Sequence, residues 1–328
     1  MTLEQLRIFV GVAEREHMTA AARALGVTQS AASAAIAALE ERHAIKLFHR
    51  VGRGIILTEA GRLFLAEARG VLARAGAAET VLQELGGLRR GTLRVVASQT
   101  IAAYWLPPIL AAFRERYPAL GIELAIGNTE QAAARVHHGQ ADLGIVEGEV
   151  DDPALAHWPT GEDQLLLVGA APFGDARIDA AWLRQARWVQ REPGSGTRST
   201  LDGHLLALGV DPDTLDVALV MPSNESVRTA VEAGAGVAVL SALVVAPSLK
   251  AGTLHAAPIA FEPRRFFGLR HKERYRTKAA DALLDVIGLQ HRHATTPSSP
   301  RIQSFAKGPV DKASGLFNSP GSYDTVNM

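Results

Sequence analysis

The segment TAAARALGVTQSAASAAIAALEE, from Thr19 to Glu41, decides how the first part of this chain folds. We predict that Thr19 caps a short helix that stops at Gly26, and that Thr28 caps a further helix running to about Arg42. Two short helices joined by a glycine turn are typical of a helix-turn-helix, whose second helix enters the major groove of DNA.

The helix after Thr28 combines an apolar face with a face of alanine and small polar residues. The next segment, KLFHRVGRGIILT, has a Gly-Arg-Gly turn between two short apolar runs. It predicts a basic hairpin, or wing, that reaches phosphate or the minor groove. An ordinary three-helix subdomain with a solvated hairpin is the alternative. The residues predicted to point inward are Ala32, Ala35, Ile36 and Leu39, and those predicted to contact DNA are Thr28, Gln29, Ser30, Ser33, Ala34, Ala37, Arg50 and Arg53.

The first sixty or so residues closely resemble the N-terminus of LysR-type transcriptional regulators. The matching pieces, at the family's own spacing, are LEQLRIFVGVAE, TAAARALGVTQSAAS, ALEE, KLFHRVGRG and LTEAG. This chain departs from the family where Ser30 replaces a frequent proline, and where Ala34 and Ala35 replace polar residues. Base readout is therefore expected to depend on Gln29 and Ser33, on methyl contacts to thymine and on groove shape.

A long helical pattern begins after Thr58, its predicted N-cap, and ends at Leu85. Its apolar residues recur at alternating steps of four and three, which is typical of a coiled-coil seam. The seam either pairs with a second copy of the chain or packs on the chain's own domain. The resemblance implies an antiparallel dimer, and it leaves dimer and tetramer open. The predicted dimerisation residues are Phe64, Ala68, Val71, Ala75, Ala78, Leu82 and Leu85.

From Thr92 to about Gly288, strand and helix patterns alternate, which predicts an α/β fold with parallel, doubly wound sheets. Such sheets bind ligands beyond the carboxyl ends of their strands. The resemblance implies two lobes similar to a periplasmic solute-binding protein, with an effector cleft between them and a hinge near Gly161 and Phe267. Thr129 is predicted to cap the helix after the second strand. The predicted effector-binding residues are Ser98, Thr100, Asn128, Thr129, Glu147, Ser195, Gly196, Thr197, Arg198 and Asn224.

The loop REPGSGTRSTL, Arg191 to Leu201, places two glycines and a serine before a helix, an arrangement that presents N–H groups to an anion. It lacks the GxxxxGK[ST] spacing of a P-loop, and no general base, metal triad or partnered nucleophile accompanies it. The loop therefore predicts a receptor and not an enzyme. Arg198, interpreted as the only cation at this helix start, either binds a carboxylate or phosphate or forms an internal salt bridge. EPGSGTR also recurs in LysR-type subgroups that control carbon fixation and sulfur metabolism, which implies an anionic effector.

These patterns divide the chain into a winged helix-turn-helix, a linker helix, two effector lobes and a tail. The tail, rich in Pro, Ser and Gly, is predicted to be disordered. The basic run RRFFGLRHKERYRTK is interpreted as a solvated strand edge, where positive charge discourages aggregation. The predicted regions are 1–57 for DNA binding, 58–91 for the linker helix and hinge, 92–162 plus 268–288 for lobe 1, 163–267 for lobe 2, and 289–328 for the tail.

Composition excludes several other classes of protein. The 328 residues are 47% hydrophobic, enough for two or three cores, and their zero net charge means that any basic DNA site is local. The absence of cysteine excludes disulfides and thiolate metal sites. The start, MTLEQLRIFV, is not expected to be a secretory signal, and no apolar run reaches the roughly 18 residues that span a bilayer, so a cytoplasmic location is predicted. No cofactor or metal is predicted, since His137-His138 and the tail residues His291 and His293 lack acidic or cysteine companions.

The leading hypothesis is a ligand-responsive, DNA-binding transcriptional regulator. Its predicted partners are double-stranded promoter DNA, a small anionic effector, further copies of the chain in a homodimer or homotetramer, and RNA polymerase, with no membrane. A small-molecule-binding protein or enzyme of the two-lobed α/β class is the main alternative. The third hypothesis is a constitutive repressor, whose cleft would be blocked by its own side chains.

Overall fold

The computed structural model describes residues 1–52, 54–85, 91–148 and 150–294, with the backbone alone for 83–85 and 289–294. The chain begins with three helices, a short hairpin and one long helix, and it continues as two α/β lobes. No helix in the described ranges is both long and apolar enough to cross a membrane.

We call residues 1–57 the head. His17, and not Thr19, caps its second helix, because His17 Nδ1 accepts a hydrogen bond from the N–H of Ala20 at 3.3 Å and Thr19 lies inside the helix. The prediction for Thr28 is confirmed, since its Oγ1 accepts a hydrogen bond from the first turn of the third helix at 3.2 Å. The elements of the head are α1 (Leu3–Arg15), α2 (Met18–Ala24), α3 (Gln29–His43), β1 (Phe48–Val51) and β2 (Gly54–Leu57).

The helices and hairpin of the head enclose an apolar core. Phe9 is fully buried, with its ring centroid 5.5 Å from that of Phe48 and 4.8 Å from that of Phe64. The face of α3 that was predicted to point inward does so, and this leaves its opposite face to solvent. The buried or half-buried residues on that inward face are Ala32, Ala35, Ile36 and Leu39.

Glu40, near the end of α3, ties this helix to the hairpin, a role that the sequence analysis missed. Its carboxylate accepts hydrogen bonds from the N–H groups of Leu47 (2.8 Å) and Phe48 (3.3 Å) and from Lys46 Nζ (2.7 Å). Burial raises the pKa of Glu40, but these hydrogen bonds and the charge of Lys46 outweigh it and hold the pKa below its ordinary value. The ionised carboxylate therefore holds the helix and hairpin together.

The helix α4 (Glu59–Leu85) follows the head, and Thr58 caps it, accepting a hydrogen bond from its first turn at 2.9 Å. The first half of α4 packs on the head. Phe64 contacts Phe9, and Ala68 is only 1% exposed within the core of the head. Assigning Ala68 to a seam with a second copy was therefore wrong, because it is buried in the core of its own domain, and Phe64, which is half-buried, packs on the same core.

Further along α4, apolar side chains of the predicted seam face solvent. Leu82 is 71% exposed, and so is Leu63, which the predicted seam did not include. The side chain of Leu85 lies outside the described residues. The exposed apolar surface of α4 thus includes part of the predicted stripe and, near the start of the helix, Leu63 outside it. Seam residues that are wholly or partly exposed are Val71, Ala75, Ala78 and Leu82.

Lobe 1 is built on a five-stranded mixed sheet. Its strands are β3 (Gly91–Ser98), β4 (Leu120–Gly127), β5 (Leu143–Glu147), β6 (Leu155–Asp163) and β12 (Arg264–His271), and its helices are α5 (Leu106–Arg116), α6 (Thr129–His137) and α11 (Lys278–Ala294), with a π-helical turn at Ile101–Trp105. The strand order is β4-β3-β5-β12-β6, in which β3 is parallel to β4 and β5, and β12 is antiparallel to β5 and β6. Helices α5 and α11 pack on one face of the sheet and α6 on the other.

Lobe 2 combines two small sheets. Its elements are β7 (Leu165–Gly169), α7 (Ala180–Gln185), β8 (Arg187–Arg191), α8 (Gly196–Ala207), β9 (Asp216–Met221), α9 (Asn224–Glu232), β10 (Ala238–Ser241), α10 (Ala242–Ala251) and β11 (His255–Ala256), with a 3-10 turn at Pro212–Thr214. Strands β10, β7 and β11 pair antiparallel, while β8 and β9 pair parallel. A bridge between Trp188, which is fully buried, and Val237 joins the two sheets.

The chain crosses between the lobes at 163–164, after β6, and at 263–264, before β12. Because β6 leads out of lobe 1 and β12 leads back beside it, these two strands run antiparallel. The prediction of parallel sheets was therefore wrong for β6 and β12. It was also wrong for β7, β10 and β11, which pair antiparallel. The prediction of disorder from residue 289 was also wrong for the start of that segment, since α11 continues to Ala294. The predicted tail beyond 294 lies outside the described residues.

Candidate functional site

The helix α3 presents a solvent-facing surface beside the hairpin. Its predicted DNA-contacting side chains are exposed, apart from Ser33, which is half-buried. Thr28 is engaged as the N-cap and its Oγ1 lies 3.0 Å from Ser30 Oγ, so these two hydroxyls are partly committed to the start of the helix. The role of Gln29 and Ser33 in reading base edges stays a prediction for this surface.

The hairpin stands next to that surface. Gly52 at its tip has a φ of +58°, in the left-handed region that favours glycine. Gln29 and Ser33 of α3 and Arg50 of β1 line one hollow of about 530 Å³. The helix and the basic hairpin therefore flank a single concave surface. Arg53, the other predicted arginine of the wing, lies outside the described residues.

Most of the predicted effector-binding residues are buried where the two lobes meet, a region that we call the inter-lobe cleft. Thr100 follows the end of β3 in lobe 1, and Asn224 begins α9 in lobe 2. Asn224 Nδ2 donates a hydrogen bond to Thr100 Oγ1 at 3.0 Å, which joins the lobes directly. The buried polar residues of the predicted set are Ser98, Thr100, Asn128, Thr129, Glu147, Ser195, Thr197 and Asn224.

Arg264, the first residue of β12, also lies in the cleft, and the sequence analysis missed it. It is 4% exposed, and its Nε and Nη2 both donate to Asp163 Oδ2, at 3.2 and 2.7 Å. Its Nη1 donates to Thr197 Oγ1 at 2.8 Å, and its Nη2 lies 3.4 Å from Thr100 Oγ1. One guanidinium therefore links both hinge strands to hydroxyl groups of both lobes.

A second buried cation, Arg191, ends β8 and was not among the predicted site residues. Its Nη1 donates to Asn224 Oδ1 at 2.5 Å, and its Nε and Nη2 donate to the Glu192 carboxylate at 2.8 and 2.9 Å. Asn128, from lobe 1, donates to the same carboxylate at 3.3 Å. Glu192 thus neutralises Arg191 and also bridges the lobes.

Arg198 belongs to the internal structure of lobe 2. Its Nη1 donates to the backbone carbonyl of Arg191 at 3.2 Å, and its Nε lies 3.9 Å from the carboxylate of Asp202, one turn further along α8. Its interpretation as the only cation at this helix start was wrong, because the buried Arg191 and Arg264 are there too. The alternative of an internal salt bridge describes Arg198 better.

Two other predicted residues hold the lobe 1 wall of the cleft in place. Asn128, and not Thr129, caps α6, accepting a hydrogen bond from the N–H of Gln131 at 2.9 Å. Thr129 Oγ1 donates to the backbone carbonyl of Glu147 at 2.8 Å, which ties the start of α6 to the end of β5.

The helices α6, α8 and α9 begin at the cleft, and they differ in how their first turns are capped. The side chains of Asn128 and Ser223 cap α6 and α9, each in a reciprocal capping box. Ser195 is the N-cap of α8 and is 2% exposed, but its side chain makes no capping hydrogen bond within the described structure. The positive end of this 12-residue helix therefore lacks a side-chain acceptor.

Two buried polar atoms of the cleft, Ser98 Oγ and Glu147 Oε1, have no hydrogen-bond partner among the described residues. Arg264 Nη2 approaches Glu147 Oε1 only to 3.7 Å, beyond the range of a hydrogen bond. Glu147 and Gly196 also line a cavity of about 490 Å³ between α6 and α8. Unpaired buried polar atoms beside a cavity are typical of a ligand site.

The sequence analysis missed Arg264 because it interpreted the run that begins there as a solvated edge. In the structure, β12 is an internal strand between β5 and β6, with Arg264 buried and Arg265 exposed. A signal was present in the run RRFFGLR, where Arg264 is in phase with Phe266, a buried residue of the same strand face. A strand arginine in phase with buried residues needs an acidic partner.

The paired histidines have other partners in the structure. His137 Nδ1 lies 2.7 Å from Asp152 Oδ2, and His138 Nδ1 lies 2.7 Å from the backbone carbonyl of Ala134. Across the part of the chain that the structure describes, no group of three or more His, Asp or Glu residues is placed to hold a metal ion. The side chains of His291 and His293 lie outside that part.

Comparison with known families identifies the class of protein. The description "Bacterial regulatory helix-turn-helix protein, lysR family" matches residues 3–62, and "LysR substrate binding domain" matches residues 86–290. These matches span the head and both lobes. The chain therefore belongs to the LysR family of bacterial transcriptional regulators. It is a DNA-binding regulator with an effector-binding domain, and not an enzyme.

Curated relatives support the same class over most of the chain. The HTH-type transcriptional regulator YeiE of Escherichia coli K12 is 33% identical over 289 residues, covering 87% of this chain and 96% of the relative. A probable RuBisCO transcriptional regulator of Nostoc sp. PCC 7120 is 32% identical over 294 residues, covering 87% of each.

Solved structures share the fold. Full-length CbnR complexed with its target DNA has a TM-score of 0.63 and 22% identity, covering 88% of this chain and 99% of that one. The regulatory domain of CcmR from Synechocystis PCC6803, in complex with 2-PG, has a TM-score of 0.56 and 25% identity, covering 61% of this chain and 97% of that one.

Proposed function

We propose that a small anionic metabolite, bound in the inter-lobe cleft, modulates promoter binding by this regulator. The observation that carries this proposal is the start of α8, a buried positive helix end with no side-chain cap. Backbone N–H groups and the helix dipole at such an end favour an anion. The hydroxyls of Ser98 and Ser195 lie in the same cleft, and the CcmR regulatory domain, described in complex with 2-PG, shares the fold.

We assign a separate role to each successive region of the chain. The head binds promoter DNA through Gln29, Ser33 and the wing, residues 58–91 link head and lobes, and the two lobes bind the effector in the cytoplasm. Effector binding changes promoter binding only if the effector favours one arrangement of the lobes and heads over another. The hydrogen bond between Asn224 and Thr100 is a contact that such a rearrangement would break or remake.

We also propose that the regulator acts as a homo-oligomer, either a dimer or a tetramer. The support is α4, a helix of 27 residues on which Leu63 and Leu82 are 71% exposed and Val71 is 43% exposed. Apolar residues that face solvent on a long helix favour pairing with a second copy. A dimer would present two heads to two half-sites, and the DNA-bound oligomer would contact RNA polymerase.

The test is a mobility-shift titration on the DNA upstream of the gene for this regulator, with and without small carboxylates, phosphates and sulfur oxyanions. We expect sequence-preferring binding whose affinity or complex mobility changes with one of these anions. Thr100→Ala is expected to keep DNA binding while weakening the response to the anion. If the protein bound DNA without sequence preference, the DNA-binding assignment would be contradicted. If it bound a preferred sequence but no ligand changed the affinity or the mobility of the complex, only the effector proposal would be contradicted.

A second candidate function, constitutive DNA binding, is favoured by one observation. Arg264, Asp163 and Thr197 already make direct hydrogen bonds inside the cleft, so the protein's own side chains fill part of it. Thermal unfolding with the same anions separates the two functions, because a ligand that binds only the folded state raises the midpoint. A midpoint that no candidate ligand moves would support the constitutive regulator.

A further inference from the structure

Among the described residues, the ion pairs of Arg264 and Arg191 in the inter-lobe cleft involve three carboxylates, because Arg264 lies near both Asp163 and Glu147. Arg264 is hydrogen-bonded to Asp163, and Arg191 is hydrogen-bonded to Glu192, so each of these cations already has its own carboxylate. Glu147 is a third carboxylate in the same cleft. A ligand with a positive charge beside Glu147 would therefore give this third carboxylate a cation of its own.

One carboxylate oxygen of Glu147 has no hydrogen-bond donor within the described structure. It is 3% exposed, and its Oε1 accepts no hydrogen bond from the described residues. Arg264 Nη2 lies 3.7 Å from this oxygen but donates to Asp163 at 2.7 Å, so its hydrogen bond is directed elsewhere. Burial of a carboxylate without hydrogen bonds is unfavourable, and a ligand that donates to it would remove that penalty.

The cavity beside Glu147 has an acidic wall. Besides Glu147, its lining includes the carboxyl-bearing residues Glu130, Asp151 and Asp152, and no lysine or arginine is among the described residues that line it. His137, also on this wall, is paired with Asp152. Such a wall favours a positively charged group.

The cation expected here is an organic one. Among the residues described, no cluster of three or more His, Asp or Glu side chains is arranged to ligate a metal ion. An ammonium group needs only one or two acceptors and presents several N–H donors, which matches a carboxylate oxygen that accepts no hydrogen bond from the described residues.

The start of α8 lies close to the backbone of Glu147. Gly196, the first residue of α8, packs so tightly against lobe 1 that an added Cβ would overlap the backbone carbonyl of Glu147. Because Glu147 and Gly196 also line the same cavity of about 490 Å³, one small molecule in that cavity can contact both residues.

We propose that the effector is an amino acid, whose ammonium group donates to Glu147 while its acidic group is received at the start of α8. This inference rests on the proposed function and narrows it from small anions to molecules that carry both charges. The acidic group meets the helix end, and the ammonium group supplies the donor that Glu147 lacks.

The test compares matched ligands on the full-length protein by thermal unfolding. Each pair consists of an amino acid and its oxo acid: alanine with pyruvate, aspartate with oxaloacetate, and glutamate with 2-oxoglutarate, alongside the other standard amino acids. We expect at least one amino acid to raise the unfolding midpoint, and its oxo acid, which lacks the ammonium group, to have little effect.

Two variants locate the ammonium group. Glu147→Gln, an uncharged side chain of the same shape, is expected to weaken binding of the active amino acid by roughly tenfold or more, as for other charge-assisted hydrogen bonds. Asp151→Asn is the matched control, because Asp151 lines the same cavity but is exposed, and it is expected to keep the response.

The outcomes separate this inference from the proposed function. Stabilisation by an oxo acid as strong as by its amino acid would overturn the ammonium inference and leave the anion proposal standing. Lack of stabilisation by every amino acid would overturn the inference too, while the mobility-shift titration with anions would still test the proposed function. If Glu147→Gln and Asp151→Asn weakened amino-acid binding equally, the negative charge of the whole cavity wall would attract the ligand, and a specific contact with Glu147 would be excluded.

Discussion

The head and the inter-lobe cleft are both polar sites, but they are assembled in different ways. In the head, Gln29, Ser33 and Arg50 line one hollow and lie within a short stretch of chain. In the cleft, Arg264 makes its contacts with Thr197 and Thr100 across 67 and 164 positions of the sequence. The head can therefore be specified by local helix caps and a hairpin, whereas the cleft exists only once both lobes have folded and met.

The largest expected effect is on the stability of the cleft. Arg264→Ala removes the buried partner of Asp163, whose side chain is 1% exposed, and leaves an uncompensated charge in the protein interior. We expect the free energy of unfolding to fall by about 3–5 kcal/mol, measured by urea denaturation followed by circular dichroism.

Its matched control is Arg265→Ala, on the same strand but exposed, which is expected to change stability by no more than about 0.5 kcal/mol. Replacing both partners with apolar residues, as Arg264→Met with Asp163→Leu, should recover much of the loss. Similar effects of Arg264→Ala and Arg265→Ala would mean that the cleft does not depend on its buried ion pair.

The corresponding change in the head is Ser33→Glu, which places a carboxylate on the surface of α3 that we propose contacts DNA. We expect promoter affinity to fall roughly a hundredfold, because the carboxylate meets phosphates and base-edge acceptors. Fluorescence anisotropy with labelled promoter DNA measures this.

Ser33→Gln is similar in size without the charge and is expected to bind DNA more tightly than Ser33→Glu. Thermal stabilisation by the effector should be unchanged in both, since Ser33 lies in the head. Normal promoter affinity in Ser33→Glu would show that α3 is not the DNA-contacting helix.

A smaller effect is expected at the closest approach of the lobes. Gly196→Ala places a Cβ against the carbonyl of Glu147 and the hydroxyl of Thr129, and we expect it to cost about 1–3 kcal/mol through overpacking. Gly203→Ala, on the same helix, meets nothing within 4 Å and should stabilise the helix by about 0.5–1 kcal/mol. A lower unfolding midpoint for Gly196→Ala together with a higher one for Gly203→Ala would establish the close contact. A change of the midpoint in the same direction for both variants would contradict it.

The smallest expected effect concerns Glu40 in the head. Its lowered pKa means that its contribution is complete above the pKa of the unfolded chain and is lost as pH falls through the lower, folded pKa. Glu40→Gln is therefore expected to cost about 1 kcal/mol at neutral pH, and the difference from the parent protein should shrink in acid. Glu41→Gln, next to it and exposed, is the control, and a pH-independent difference for Glu40→Gln would contradict this account.

Particular residues show how far sequence patterns reached. Thr28 could be predicted as a cap because its hydrogen bond closes three residues away, and the inward face of α3 followed from helical spacing. His17 was missed as a cap because Thr19, a more usual capping residue, stands nearby. The spacing of Phe64 and Ala68 is compatible both with packing on a second copy of the chain and with packing on their own head. Spacing alone cannot distinguish these two arrangements.

The sequence by itself determined the head, its resemblance to LysR-type regulators, and the places where polar residues end strands and begin helices. These features depend on hydrogen bonds and apolar spacing between residues a few positions apart. Only the tertiary structure decided that Arg264 pairs with Asp163, that Arg198 donates to a backbone carbonyl of lobe 2, and that Glu147 Oε1 has no donor among the described residues. Sequence periodicity indicates that a side chain is buried, but its charge partner depends on which distant segments the fold brings within hydrogen-bonding distance.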